Sequence, residues 1–242
     1  MWLAVMLLIA TTVQSTLLHE SGTAAAPRSS KDRPLRVIVC GAPASGKGTQ
    51  CQMLRERYGA VHLSTGDMLR EAVTAGTDVG VRATTYMESG QLVPDAVIIG
   101  IVQNRLAESD CMEQGWILDG FPRTMAQAMA LERAGIRPDK VLFLEVPDDT
   151  IVQRVIGRRS DPMTGRIYHT SFEPPESDEI ASRLVQRADD TEEKVRVRLE
   201  AFHEHMKAIE KCYADLIAYT DGTKPKAEVF IELEKALAEC EF

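Results

Sequence analysis

The stretch "GAPASGKGTQ", residues 41–50, follows the apolar run "LRVIVC" and constrains this chain more than any other feature. Glycine costs backbone entropy and proline removes a hydrogen-bond donor, so clustering both around one lysine demands an unusual backbone path. Gly41 to Lys47 fits G-x-x-x-x-G-K, with a strand pattern before it and a helix pattern after it. In that context backbone N–H groups turn inward around phosphate oxygens at the positive end of the helix, and the lysine reaches the outer phosphates. The alternative is a Gly-rich turn carrying a solvated lysine. One departure bears on a metal ion. The Ser or Thr expected directly after the lysine is Gly48, with the hydroxyl one place later at Thr49, so this loop grips magnesium less than the usual pattern does.

The loop opens an alternation that runs from Leu35 onward. "LRVIVCG", "AVHLS", "GWILDG", "KVLFLEV" and "DLIAYTD" are short, often β-branched and bounded by Gly, Pro or Asp, as buried strands of a parallel sheet are. Between them lie helical patterns such as "GKGTQCQMLRERYG", which ends on a glycine stop. Asp190 and Glu193 fit a capping box ahead of a long helix whose apolar face carries Val195, Leu199, Phe202 and Met206. The alternation predicts a three-layer α/β sandwich. Two stretches fit it poorly: 64–93, which reads as helical throughout, and 160–186, rich in Pro, Ser, Asp and Gly. Both read as insertions on one sheet edge.

Candidate ligand-binding groups gather around these stretches. The strand in "GWILDGFPRT" ends in Asp119, the place for an acid that orients magnesium through its waters. Gly120 to Arg123 then form a tight turn at the strand's C-terminal edge, where ligands of open α/β sheets bind. Arg154 and Arg158, four apart, would share a helix face. Arg70, Arg187 and Arg198 flank the two poorly fitting stretches. Any one of them alone is a solvated charge or a surface ion pair. Together, in a chain of net charge −8, they point to a local cluster that neutralises phosphate.

The acidic balance argues against a nucleic-acid binder. Five scattered cysteines without a C-x-x-C spacing argue against a disulfide framework or a cysteine zinc site. Residues 1–33 differ in kind. "MWLAVMLLIATTVQSTLL" is uncharged and apolar, though without the usual positive start, and a Ser/Ala-rich, acid-poor stretch follows. We expect a removable targeting segment there, with a membrane signal-anchor or a misassigned start as alternatives. Residues 34–242 would form the folded domain.

"GAPASGKGTQ", "STGDMLR", "DGFPRT", "GRRSDPMTGRIYH", "QRADDTEEKVRVRL" and "DGTKP", in this order, closely resemble the adenylate kinases of long-lid type, from about Arg36 to the C-terminus. The wording of the lid is similar to plant plastid forms, with Ile156 at its one departure. The resemblance implies a P-loop nucleoside-monophosphate kinase with an AMP-binding helical insertion at 64–93 and a mobile lid at about 159–187. It implies transfer of the γ-phosphoryl of Mg-ATP to AMP, giving two ADP, by a monomer acting on ATP, AMP and ADP with Mg2+.

By the same resemblance Ala44, Ser45, Gly46, Lys47, Gly48 and Thr49 would hold ATP phosphates, with Arg154, Arg158, Ile167, Tyr168 and Lys224 on the ATP side. Thr65, Arg70, Val93, Gly120, Arg123 and Gln127 would form the AMP pocket, Gln127 facing the adenine edge. Arg187 and Arg198 would bridge both nucleotides, and Lys47, Arg123, Arg158, Arg187 and Arg198 would serve the transfer itself. Asp119 would hold Mg2+. Gln91 stands where many relatives carry lysine, which puts one AMP contact in doubt. Zinc-bearing relatives have two cysteine pairs in the lid; here Asp161 and Thr164 occupy the first pair's places, and we expect a polar network without structural zinc. A kinase for another monophosphate is one rival, but the long lid and Gln127 count against a UMP/CMP enzyme. A catalytically silent nucleotide sensor is the other. The expected location is a plastid, with secretion or membrane anchoring as alternatives; the mature enzyme would need no membrane and no nucleic acid.

Overall fold

Each of the five apolar runs becomes a strand of one parallel sheet. The computed structural model describes residues 34–239, and the expected targeting segment lies outside them. The chain runs β1 (Arg36–Gly41), α1 (Lys47–Tyr58), β2 (Val61–Ser64), α2 (Thr65–Thr74), α3 (Asp78–Ser89), α4 (Asp95–Leu106), α5 (Ser109–Gln114) and β3 (Trp116–Asp119). It continues through α6 (Met125–Arg133), β4 (Lys140–Glu145), α7 (Asp148–Gly157), β5 (Arg158–Ser160), β6 (Ile167–His169) and α8 (Asp178–Arg183). Last come α9 (Glu192–Cys212), β7 (Ile217–Asp221) and α10 (Lys226–Ala238).

The sheet order is β2-β3-β1-β4-β7, all parallel. Side chains of β1 alternate between two cores, as a strand's period of two requires. Ile38 and Cys40 join the layer of α4, α6 and α9, while Val37 and Val39 join that of α1 and α10. Burial of these apolar faces, at about 25 cal/mol per Å², drives the three-layer stacking. Because β1 sits centrally with β3 on one side and β4 on the other, the strand order reverses there. In such sheets the ligand crevice opens at that point, beyond the strands' C-terminal ends.

Four expectations need correction. The two stretches that fit the alternation poorly do not share a sheet edge: 64–93 follows the edge strand β2, whereas 160–186 lies between β4 and β7 on the other side of β1. Nor is 64–93 helical throughout. A turn breaks it at residues 75–77, where Thr77 caps α3 through Gly80 N–H, and α3 stops at Gly90 in the left-handed region. The long helix α9 is capped by Thr191, whose hydroxyl accepts from Lys194 N–H, and not by Asp190. Asp190 is drawn away because its carboxylate takes a two-point ion pair with Arg158, a stronger attraction than one neutral cap bond. Finally, Arg158 does not share a helix face with Arg154. Helix α7 ends at Gly157, where only glycine leaves room for the His169 ring (a Cβ would lie 2.2 Å from it), and Arg158 continues as the strand β5 paired with His169.

Candidate active site

The phosphate loop takes left-handed backbone twice: at Gly46 (φ 102°), which glycine permits, and at Ala44 (φ 55°), where a side chain makes it uncommon. Lys47 is not the solvated lysine of a plain turn. Its Nζ donates to Gly41 O at 2.9 Å and Ala42 O at 2.7 Å, so the ammonium is held inside the loop. Burial pushes it down to about 8, with Asp119 pulling the other way and Arg123 and Arg198 adding to the depression.

Asp119, at the end of β3, is buried beside this loop. A Cβ on Gly48 would stand 3.9 Å from Asp119 Oδ2, so the missing Ser or Thr side chain leaves the space in front of the carboxylate open. His62 Nε2 lies 3.5 Å from the same oxygen. Gly120 follows with φ 76°; a Cβ there would come within 2.8 Å of Arg123 Nη2 and 3.1 Å of Thr65 Oγ1. Glycine lets the chain turn and leaves Arg123 Nε donating to Gly120 O at 2.6 Å.

The remaining arginines are steered by acidic residues. Arg198 meets Asp189 at 2.6 Å, Arg158 pairs with the fully buried Asp190, and Arg70 pairs with Asp67. Arg187 donates to Ser160 Oγ at 3.1 Å and lies 3.8 Å from Asp67. Burial pushes Arg198 down to about 10 against the pull of Asp189, with Arg123 and Arg158 contributing repulsion. Burial also lowers Arg187, with Arg70 and Arg158 adding to it. An anion among these groups favours their charged forms. Arg154 donates to Ser45 O at 3.2 Å and Gly222 O at 2.8 Å, tying α7 to the phosphate loop.

The loop, the arginines and the lid surround one cavity of about 1800 Å³. It is lined by every residue that the sequence reading placed near a nucleotide, including Gln91, Val93, Ile167, Tyr168 and Lys224. Small-ligand pockets commonly measure ~300–1,000 Å³, so this space exceeds what one such ligand needs. The family model for adenylate kinase matches residues 39–217, from inside β1 to the start of β7.

The chain belongs to the adenylate kinase family. It is 51% identical over 207 residues to "Probable adenylate kinase 2, chloroplastic" of Oryza sativa subsp. japonica, covering 86% of this chain and 71% of that protein. It is 49% identical over 204 residues to "Adenylate kinase, chloroplastic" of Zea mays, covering 84% and 92%. The kinase moves the γ-phosphoryl group of ATP reversibly to AMP, giving two ADP.

Sequence reasoning missed the kinase's acidic partners, Asp67, Asp189 and Asp190, and the pair of groups that hold Gln127. Asp67 had a signal, standing three residues before Arg70 on one helix. "RADD" was legible only as a helix start. Nothing in the sequence joins Asp95 to Gln127, 32 residues apart.

Proposed function

We propose that this kinase binds Mg-ATP between the phosphate loop and the lid, and AMP between α2, α3 and the turn after β3. The observation that carries the reading is that Lys47, Arg70, Arg123, Arg158, Arg187 and Arg198 all line one cavity of about 1800 Å³. The helical insertion at 64–93 and the lid at 159–187 would be the two moving parts, on opposite sides of β1. No general base is required, because the AMP phosphate is already anionic. Lys47 and the loop N–H groups would hold the outer phosphates of ATP, while Arg123, Arg158, Arg187 and Arg198 align donor and acceptor and stabilise the charge spread over the moving phosphoryl. Lid closure would exclude water, which otherwise takes the phosphoryl group.

The residues fit magnesium. Asp119 supplies one buried carboxylate facing the space that Gly48 leaves open, and Mg2+ commonly takes one or two carboxylates, phosphate oxygens and waters. When bound it would neutralise phosphate charge. Zinc has no place in our reading of the lid. Asp161, buried, accepts from Met163 N–H at 3.0 Å, Thr164 Oγ1 at 2.9 Å and both arms of Arg183 at 2.9 and 2.8 Å. Those bonds, Arg183 foremost, hold the Asp161 carboxyl well below the usual carboxylate range. A strong zinc chelator is expected to leave the melting temperature unchanged, and stoichiometric zinc in elemental analysis would contradict this.

Adenine selectivity is assigned to Gln127, and the kinase is expected to prefer AMP over UMP and CMP by at least about tenfold in kcat/KM, since a mismatched base leaves buried polar groups unpaired. Coupled ADP formation with each monophosphate measures this; comparable values for UMP would favour another nucleotide kinase. A monomer is the proposed state. A plastid location is proposed from the chloroplastic relatives and the composition of residues 1–33. Among the described residues no helix is long and apolar enough to cross a membrane. A fluorescent protein fused after Leu35 tests the location: plastid signal supports it, and a cytosolic distribution or signal in the medium counts against it.

A further inference from the structure

The side-chain amide of Gln127 is almost fully buried and pinned at both ends. Its Oε1 accepts from Arg123 N–H at 2.6 Å, and its Nε2 donates to Asp95 Oδ1 at 2.7 Å. The second carboxylate oxygen of Asp95 accepts from Thr124 Oγ1 at 3.0 Å, and that hydroxyl in turn caps α6 by accepting from Gln127 N–H at 3.2 Å. A backbone N–H only donates and an ionised carboxylate only accepts. One of the two amide orientations therefore satisfies both neighbours, and the turned amide meets donor with donor and acceptor with acceptor.

This handedness matters for a purine. Along its outer edge adenine presents the 6-amino donor beside the N1 acceptor, whereas guanine presents the 6-oxo acceptor beside an N1–H donor. A glutamine amide, which keeps a spare N–H and a spare lone pair after its two internal bonds, complements either base by turning over. Gln127 lines the cavity, and a base bound there is what would take up those spare positions.

We propose that Asp95 is a specificity-determining positioning residue: it fixes the Gln127 amide in the orientation that pairs with adenine and denies the orientation that guanine requires. This rests on the reading of Gln127 as the group that faces the AMP base. Asp95 reaches that position from the first residue of α4, just beyond Val93, so the start of one helix sets the chemistry of a side chain on another.

The test is a kinetic comparison of AMP and GMP as phosphoryl acceptors, with Mg-ATP, for wild type, Asp95→Ala, Asp95→Asn and Gln127→Ala. Asp95→Ala removes one of two constraints. The AMP-to-GMP ratio of kcat/KM is expected to fall about tenfold, mainly through the monophosphate KM, with the KM for ATP unchanged. Some preference remains, because Arg123 N–H still opposes the turned amide. Asn keeps a carbonyl acceptor, so Asp95→Asn is expected to restore the ratio to within about threefold of wild type. Should Asp95→Ala fail to fold, the near-isosteric Asp95→Leu takes its place. A ratio within twofold of wild type in the truncated variant, while Gln127→Ala loses the preference, overturns the role of Asp95 and leaves the reading of Gln127 standing. An unchanged ratio in Gln127→Ala overturns both. Equal rises in the ATP and AMP KM values, unrescued by asparagine, mark Asp95 as merely structural and also overturn the proposal.

Discussion

Lys47→Met is expected to lower kcat by about a thousandfold, since it removes the cation that we assign to the outer phosphates of ATP within a desolvated site. Activity within tenfold of wild type would reject the assigned role. The same lysine predicts a pH signature. Its ammonium is depressed to about 8 by burial, so the free enzyme loses this charge as pH rises through that value. The kcat/KM for ATP is expected to fall on the alkaline side with an inflection near 8, whereas kcat holds to higher pH because bound phosphate raises the lysine again. Stability carries its own sign. An unfolded lysine keeps its proton to about 10.5, so between about 8 and 10.5 the unfolded state binds more protons and this group makes folding more favourable as pH rises. Lys47→Met removes that slope while leaving Gly41 O and Ala42 O without their ammonium partner. Thermal melts across this range, beside rate profiles of wild type, separate the two effects.

Arg158→Ala is expected to act on both function and fold. Loss of a guanidinium that neutralises a transferring phosphoryl group costs ~10³–10⁵ in rate. It also strands Asp190, which is fully buried and paired with Arg158, and breaking such a pair costs about 3–5 kcal/mol. For a domain of this size that corresponds to a melting temperature lower by roughly 10 °C. The double variant Arg158→Ala/Asp190→Ala separates the roles. Stability is expected to return in large part, since no uncompensated charge remains, and activity is not. If activity returned with stability, Arg158 would be an ion-pair residue and not a catalytic one.

The five strands and the phosphate loop were legible because apolar runs bounded by Gly, Pro and Asp state their ends locally. Every residue that the family resemblance assigns to a nucleotide lines the same cavity. What escaped was decided by contacts across the fold. Asp190 reads as a helix cap until Arg158, 32 residues away, competes for its carboxylate. Arg154 and Arg158 read as one helical face, but Arg158 is extended and pairs with His169 across β5 and β6. The insertions seemed to share an edge because a sequence does not reveal that β1 lies in the middle of the sheet. Asp95, silent in the sequence, matters only once Gln127 is folded against it.

In this kinase one arginine-lined cavity is proposed to pass the phosphoryl group directly from ATP to AMP and to keep water out. A single turnover of excess kinase with Mg-ATP labelled at the γ-phosphate and with AMP tests it most directly. The label is expected in the β-position of ADP formed from AMP, with free phosphate at the level of the Lys47→Met control. Label released chiefly as inorganic phosphate, or retained in ATP while AMP is present, would contradict it.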